Sequence, residues 1–437
     1  MSTPEPHRIV IVGGGVAGID LASSLARRWR LDRRQPAAFS VTLVDKSYSH
    51  IWKPMLHTIA AGTRDVSQQQ TSFIAQAALR GFQYQPGELL GLDRDARHVR
   101  LGAVLGMDGR VLMPATDLPY DTLVLAVGSQ AQDFGTPGVD SHCWKIDSLA
   151  QADAFNLELR NGILESLAHD RALPIAIVGG GATGVELAAE LVQLAQIAEA
   201  YGAHGLAGRI SITLLDSGPR LLSAFPQDIS QQALERLTAL GISVVLDTRV
   251  AAADENGFTL ADGRTIPASL KVWAAGVKAA DFLQGLAGLE TDPSHRLRVR
   301  PTLQTTLDDA IYAIGDCASC TLDETARPLP PTAQVASQQA WHLARYLPPA
   351  LERGRAIPSF VYRDFGALVS LADYDAYGSL GKYGLFKGTT FRGKLAHLSH
   401  AMLYRQHQAR VHGFWRGGLL WFVDVLNRGL RPRMRLD

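Results

Sequence analysis

A chain of 437 residues exceeds what one hydrophobic core usually organises, so two or three domains are expected. Hydrophobic residues make up 46% and charged residues 19%, with 41 glycines, the balance of a soluble α/β protein; three cysteines argue against a disulfide framework and fit a reducing compartment. The formal net charge of +1 conceals an asymmetry: from residue 391 to 437, eight Arg and one Lys stand against two Asp, a basic end of +7 on a remainder of −6.

The opening MSTPEPHRIV lacks a charged stretch followed by an apolar one, so no secretory leader is expected. Nowhere do about 18 apolar residues run together, so neither a spanning helix nor proton pumping is expected. Residues 9–22 read IVIVGGGVAGIDLA, a strand, then Gly13, Gly15 and Gly18 at GxGxxG spacing, then a helix through Leu25. In such a turn the first glycine bends the chain, the second admits a pyrophosphate and the third lets the helix pack on the strand. The phosphates rest on the helix N-terminus. A basic, Pro-containing excursion (27–36) follows, then a strand at 40–44 ending at Asp45, placed to accept the ribose hydroxyls of an adenosine. Residues 48–62, YSHIWKPMLHTIAAG, show no clear periodicity, while 84–92 and 98–101 read as antiparallel strands and 120–129 as a buried strand.

A Gly/Pro loop at 135–138 suits a crossing between domains, and a helical stretch at 147–167 leads into IAIVGGGATGVELAAE at 175–190. Here Gly179, Gly181 and Gly184 repeat the spacing, and a strand at 210–215 ends at Asp216. Two fingerprints imply two dinucleotides. Strands at 243–246 and 272–276 continue the second unit, and IYAIGD at 311–316 returns to the first, where Asp316 can lie near a ribityl chain. A helix at 331–346 follows, then a strand-like stretch at 360–371. Near the end, Trp415, Leu419, Phe422, Val423, Leu426 and Leu430 fall on one side of a helix with Arg416 and Arg428 elsewhere, a pattern suited to lying on anionic headgroups.

With both fingerprints placed, the chain resembles the two-dinucleotide flavoprotein reductases and, within them, the type II NADH:quinone oxidoreductases of bacterial respiratory chains. The pieces that carry the likeness are GGGVAG at Gly13, WKPMLH at Trp52, GGGATGVELAAEL at Gly179, VWAAGV at Val272, PTLQTT at Pro301, YAIGDCASC at Tyr312, AQVASQ at Ala333 and the basic tail. The resemblance implies two Rossmann-like domains, FAD-binding (5–130 and 290–350) and NADH-binding (145–280), plus a C-terminal membrane-surface region (357–437). It implies non-covalent FAD on the first fingerprint, NADH as substrate on the second, a membrane quinone as acceptor, and monotopic attachment to the cytoplasmic face of the inner membrane. Anionic lipids are then the partners of the tail. Homodimerisation through that region is compatible with it, and neither nucleic acid nor a metal is expected.

Candidate flavin contacts are Gly13, Gly15, Ala17, Gly18, Asp45, Lys46, Lys53, Gly128, Gly315 and Asp316; for NADH they are Gly179, Gly181, Thr183, Gly184, Asp216, Ala275 and Gly276. Asp216 repels a 2′-phosphate, and no arginine follows until Arg220, so NADH is favoured over NADPH. Glu186, read as first-turn, is the candidate to orient the nicotinamide or relay a proton; its alternative is a carboxylate merely stabilised by the helix N-terminus. Gln334 and Gln338, with Ala333 in the AQxAxQ quinone signature, lie on one helical face and can either bond quinone carbonyls or cap backbone groups; Gln339 is read as their exposed neighbour. Lys382 is a further candidate on the quinone side. Cys317 and Cys320 form CxxC, but with Cys143 there are too few thiols for a four-cysteine zinc site. The histidines, His50, His57 and His407 among them, read as surface or core residues. The rival readings are a sulfide:quinone oxidoreductase, which needs reactive cysteines at the flavin, and a non-catalytic NAD(H)-sensing flavoprotein.

Overall fold

The computed structural model describes residues 5–30, 38–64, 70–322, 327–372, 374–379, 390–393, 402 and 405–430. Lys382, and part of the basic excursion after α1, lie outside these residues. In chain order, β1 (His7–Val12), α1 (Val16–Arg30) and β2 (Phe39–Asp45) are followed by the short helices α2 (Leu56–Ala61) and α3 (Phe73–Arg80). Next come β3 (Gln83–Pro86), β4 (Leu89–Asp93), β5 (His98–Leu101) and β6 (Thr122–Leu125). The second unit runs through α4 (Leu149–His169), β7 (Leu173–Val178), α5 (Ala182–Ala200), β8 (Ile210–Leu215), β9 (Ser243–Val245) and β10 (Leu270–Trp273). Then follow β11 (Ile311–Ala313), α6 (Ala333–Arg353), β12 (Ala367–Leu371), β13 (Asp375–Ser379), β14 (Thr390–Arg392), α7 (405–412) and α8 (Phe414–Leu430).

Two parallel sheets result, in the order β11-β6-β1-β2-β3 and β9-β8-β7-β10. Covered on both faces, their strands are continuous apolar runs: Val10 to Val12 and Ile175 to Val178 are buried throughout. Each fully buried Ile or Leu here contributes about 1.5–3 kcal/mol. The stretch expected as one strand at 84–92 divides at Gly87, φ +155°: β3 joins the parallel sheet, and β4 pairs antiparallel with β5. Of the 360–371 stretch only β12 is strand.

The aperiodic segment 48–62 contains α2, whose six residues are all buried. A six-residue helix is unstable alone. It is held by packing: Leu56, Ile59 and Ala60 join the core of the second unit with Val185 and Leu187 of α5 and Phe155 of α4, and Val369 and Leu371 of β12 enter the same core. A residue of α2, one of α5 and one of β12 can therefore meet at one point.

Candidate active site

The two glycine turns are built alike. Gly13 N–H donates to the Val44 carbonyl (2.7 Å) and Gly179 N–H to the Leu215 carbonyl (2.8 Å). Gly14 and Gly180 donate to Asp45 Oδ2 and Asp216 Oδ2, both at 2.5 Å, while Ser47 and Gly218 donate to the other carboxylate oxygens, both at 2.7 Å. Each aspartate thus closes its own turn and keeps further lone pairs for other donors. A Cβ on Gly18 would lie 1.8 Å from the Gly13 carbonyl oxygen and one on Gly184 2.0 Å from that of Gly179, so helix and strand approach as closely as glycine permits. At Gly15 and Gly181 nothing lies within 4 Å of that position. These open second glycines, at the starts of α1 and α5, form cradles that fit two pyrophosphates.

Around the first cradle, Gly315 (φ +76°) faces Ala17 and Ala336, Gly128 (φ +77°) opens on empty space, and Asp316 accepts from the Ser129 hydroxyl (2.7 Å). Lys53 donates to the Ser129 carbonyl (2.7 Å) and pairs with Asp147 (3.1 Å), joining the first cradle to the segment that leads into α4. Lys46 pairs at the surface with Glu88, and Ala333 is the first residue of α6 after its Thr332 cap. Around the second, Thr183 and Gly276 are exposed and Ala275 is partly covered. Arg220 is turned inward to the Phe225 carbonyl (2.8 Å), the Ser223 carbonyl (2.6 Å) and Ser230 Oγ (2.5 Å), so its guanidinium is engaged away from Asp216.

Glu186 is not in the first turn of its helix, because α5 begins at Ala182. It is buried at the meeting of α5, α2 and β12, accepting from Ser370 N–H (3.0 Å), with His57 Nδ1 3.5 Å from its second oxygen. Burial, opposed by the Ser370 bond and reinforced by Glu190 one turn on, pushes its carboxyl up to about 8, so it carries a proton at neutral pH. Glu190 in turn accepts from Thr63 Oγ1 (2.5 Å). His57 and Ser370 were not distinguished by sequence reasoning; the one signal was that His57 stands in the motif WKPMLH.

The paired glutamines lie on one face of α6, and both amides are engaged. Gln334 Oε1 accepts from Phe365 N–H (2.8 Å) and the Tyr362 hydroxyl (3.2 Å), and its Nε2 donates to the Gly366 carbonyl (2.9 Å). Gln338 exchanges bonds with the Arg363 backbone (2.8 and 3.0 Å). Gln339 departs from the expectation of an exposed neighbour. It is buried, not exposed, and its Oε1 accepts from Gly315 N–H (2.7 Å), fixing the turn before Asp316.

Burial pushes the Cys317 and Cys320 thiols up to about 11 and Cys143 up to about 12, so all three are protonated at neutral pH. Cys317 points at the Leu125 and Ile314 carbonyls inside the core. A reading that needs an activated sulfur has none here.

On comparison with known proteins, a family described as pyridine nucleotide-disulphide oxidoreductase matches residues 7–340. The chain is 40% identical to the type II NADH:quinone oxidoreductase of Haemophilus influenzae, covering 98% of this chain and 99% of that one. Its fold is similar to NDH2 from Plasmodium falciparum solved with NADH (TM-score 0.79, 20% identity, 98% and 99% of the two chains). It is also similar to the sulfide:quinone oxidoreductase of Aquifex aeolicus (TM-score 0.70, 18% identity, 92% and 91%). The last two are likenesses of fold.

Proposed function

The chain belongs to the pyridine nucleotide-disulphide oxidoreductases, in the type II NADH:quinone oxidoreductase branch, and from that premise we propose how its residues divide the work. It oxidises NADH and reduces a quinone through FAD. Bound flavin supplies the acceptance of hydride and the two-electron reduction of the quinone. The chain binds both nucleotides, orients them and holds protons. Residues 5–130 with 290–350 hold FAD, with its pyrophosphate at Gly13, Gly15 and Gly18 and its ribose on Asp45. Residues 145–280 hold NADH at Gly179, Gly181 and Gly184, with the ribose on Asp216; the inward-turned Arg220 supports NADH over NADPH.

One observation carries this reading: two turns closed by matching aspartate hydrogen bonds, each open at its second glycine. Glu186, protonated at the junction of three elements, stores the proton that quinone reduction consumes. Gln334 and Gln338 act on the quinone side by holding residues 362–366, and their replacement by leucine raises the quinone KM about tenfold through the loss of these bonds. An unchanged KM moves the quinone site elsewhere. Anaerobic rapid mixing tests the whole reading: NADH bleaches the flavin quickly and a short-chain quinone restores it, whereas bleaching by sulfide alone sinks it.

No helix among the described residues is long and apolar enough to cross a membrane. Helix α8 leaves Trp415 86% and Leu419 65% exposed, with Phe422, Val423 and Leu426 also outward and Arg416 beside them. An apolar face of this extent beside cations suits the headgroup boundary of an anionic bilayer. We assign it to lipid on the cytoplasmic side. Flotation with phosphatidylglycerol vesicles checks this: Trp415→Ser with Phe422→Ser stays behind, and equal flotation refutes the assignment.

A further inference from the structure

The two cradles differ at one atom. Each has a middle glycine whose N–H is held by the aspartate, but the carbonyls of these glycines are held differently. In the second cradle the Gly180 carbonyl accepts from the Leu222 backbone N–H (2.7 Å), six residues beyond Asp216 and within the same unit. In the first, the Gly14 carbonyl is bonded by a side chain, His50 Nδ1 (2.8 Å).

His50 does not stand alone. Its Nε2 lies 2.8 Å from Nε2 of His407 on α7, 357 residues away in the chain, and both rings are buried. A carbonyl only accepts, so His50 carries its proton on Nδ1, its Nε2 accepts, and His407 donates from Nε2. Burial holds both imidazoles below their ordinary pKa, which keeps each in this single-proton form. The remaining nitrogen of His407 faces Asp20 of α1 at 3.8 Å.

Helix α7 is seated on the same unit along its length. Gln76 and Arg80 of α3 donate to the Val411 carbonyl, His412 Nε2 meets Thr71 Oγ1 (3.2 Å), and Arg410 reaches Ser337 of α6. By contrast, α8 packs Gly417 against Ala409 of α7 and leaves Trp415, Leu419, Phe422, Val423 and Leu426 exposed.

We propose that α7 is a strut of the flavin cradle, with His407 fixing the Gly14 peptide through His50. The C-terminal region then has two separable parts, 405–412 supporting FAD and 414–430 supporting lipid attachment. This rests on the assignment of FAD to the first cradle. His50 and His407 are positioning residues, since neither is required to touch the cofactor.

The test is flavin retention in the full-length chain, followed by the fluorescence of FAD released on dilution and by titration of FAD into deflavinated protein. His407→Ala raises the FAD dissociation constant roughly tenfold, the effect of removing one partner of a buried hydrogen bond. His407→Gln, whose amide N–H falls where Nε2–H was, restores retention to within about twofold, a rescue that general loss of packing does not produce. Once His50→Ala has cut the link to Gly14, adding His407→Ala costs little more, because both act through one path. The exposed pair Trp415→Ser and Phe422→Ser leaves FAD binding unchanged while abolishing flotation. The proposal is overturned if His407→Ala binds FAD as the parent does, if Gln fails to rescue, or if the two histidine effects simply add. A parent chain that bound no FAD at all would instead overturn the assignment of the cradle.

Discussion

The first and second glycine turns share a strand, three glycines, a closing aspartate and the lengths of the aspartate's bonds, yet they are supported by different extents of the chain. Gly180 is held from within its own unit, by Asp216 and Leu222, and a Cβ there would meet Leu221 and Asp216. Gly14 is held by Asp45, by His50, and through His50 by α7; a Cβ there would strike the Phe73 ring of α3. A cofactor that stays and a substrate that leaves each turnover ask for this difference. On the proposed assignment, the resident cofactor has the cradle braced by distant elements and the exchanging substrate the one closed from within its own unit, while both open on solvent at their second glycine, Gly15 and Gly181.

Substitutions can separate the two. The largest effect is expected at Gly18→Ala, whose Cβ would sit 1.8 Å from a backbone oxygen that cannot yield; a loss of about 3 kcal/mol in stability and complete loss of flavin are expected, read by thermal unfolding and flavin absorbance. Next is Glu186→Gln. Loss of its proton slows reoxidation of reduced flavin by quinone about 100-fold, measured by rapid mixing. The folded chain binds that proton more tightly than the unfolded chain does. Its stabilisation is therefore present below pH 4.5 and lost as pH rises toward about 8, and denaturant titrations of Glu186→Gln lose this slope. Asp216→Ala is smaller: preference for NADH over NADPH falls roughly tenfold as one repulsive carboxylate goes, seen in the ratio of kcat/KM values. Smallest is Cys317→Ser, which costs about 1 kcal/mol in stability and leaves NADH oxidation intact.

Both fingerprints, both aspartates and the parallel strands were legible in the sequence, because each is a local pattern of glycine, branched residues and a strand-ending acid. What was not legible depends on contacts between distant segments. Helix α2 gave no periodicity because all six residues are buried, leaving no polar face to contrast with an apolar one. Gln339 was assigned to solvent on spacing alone, whereas α6 is packed on more than one side and its third glutamine reaches Gly315. His57 and His407 read as ordinary histidines because their partners, Glu186 and His50, are brought near only by the fold. The exposed face of α8 was readable from the helical spacing of its apolar residues, of which Trp415, Leu419, Phe422, Val423 and Leu426 are exposed.

The most direct measurement uses the two open glycines, where an added Cβ meets nothing within 4 Å and a larger side chain enters the space proposed for a phosphate. Gly15→Val and Gly181→Val are purified in parallel, assayed for bound flavin, and mixed anaerobically with NADH. Gly15→Val is expected to have lost its flavin, while Gly181→Val retains it in full but is bleached by NADH at least about tenfold more slowly than the parent. Loss of flavin from Gly181→Val, or bleaching at the parent rate, would contradict the assignment of the two cradles.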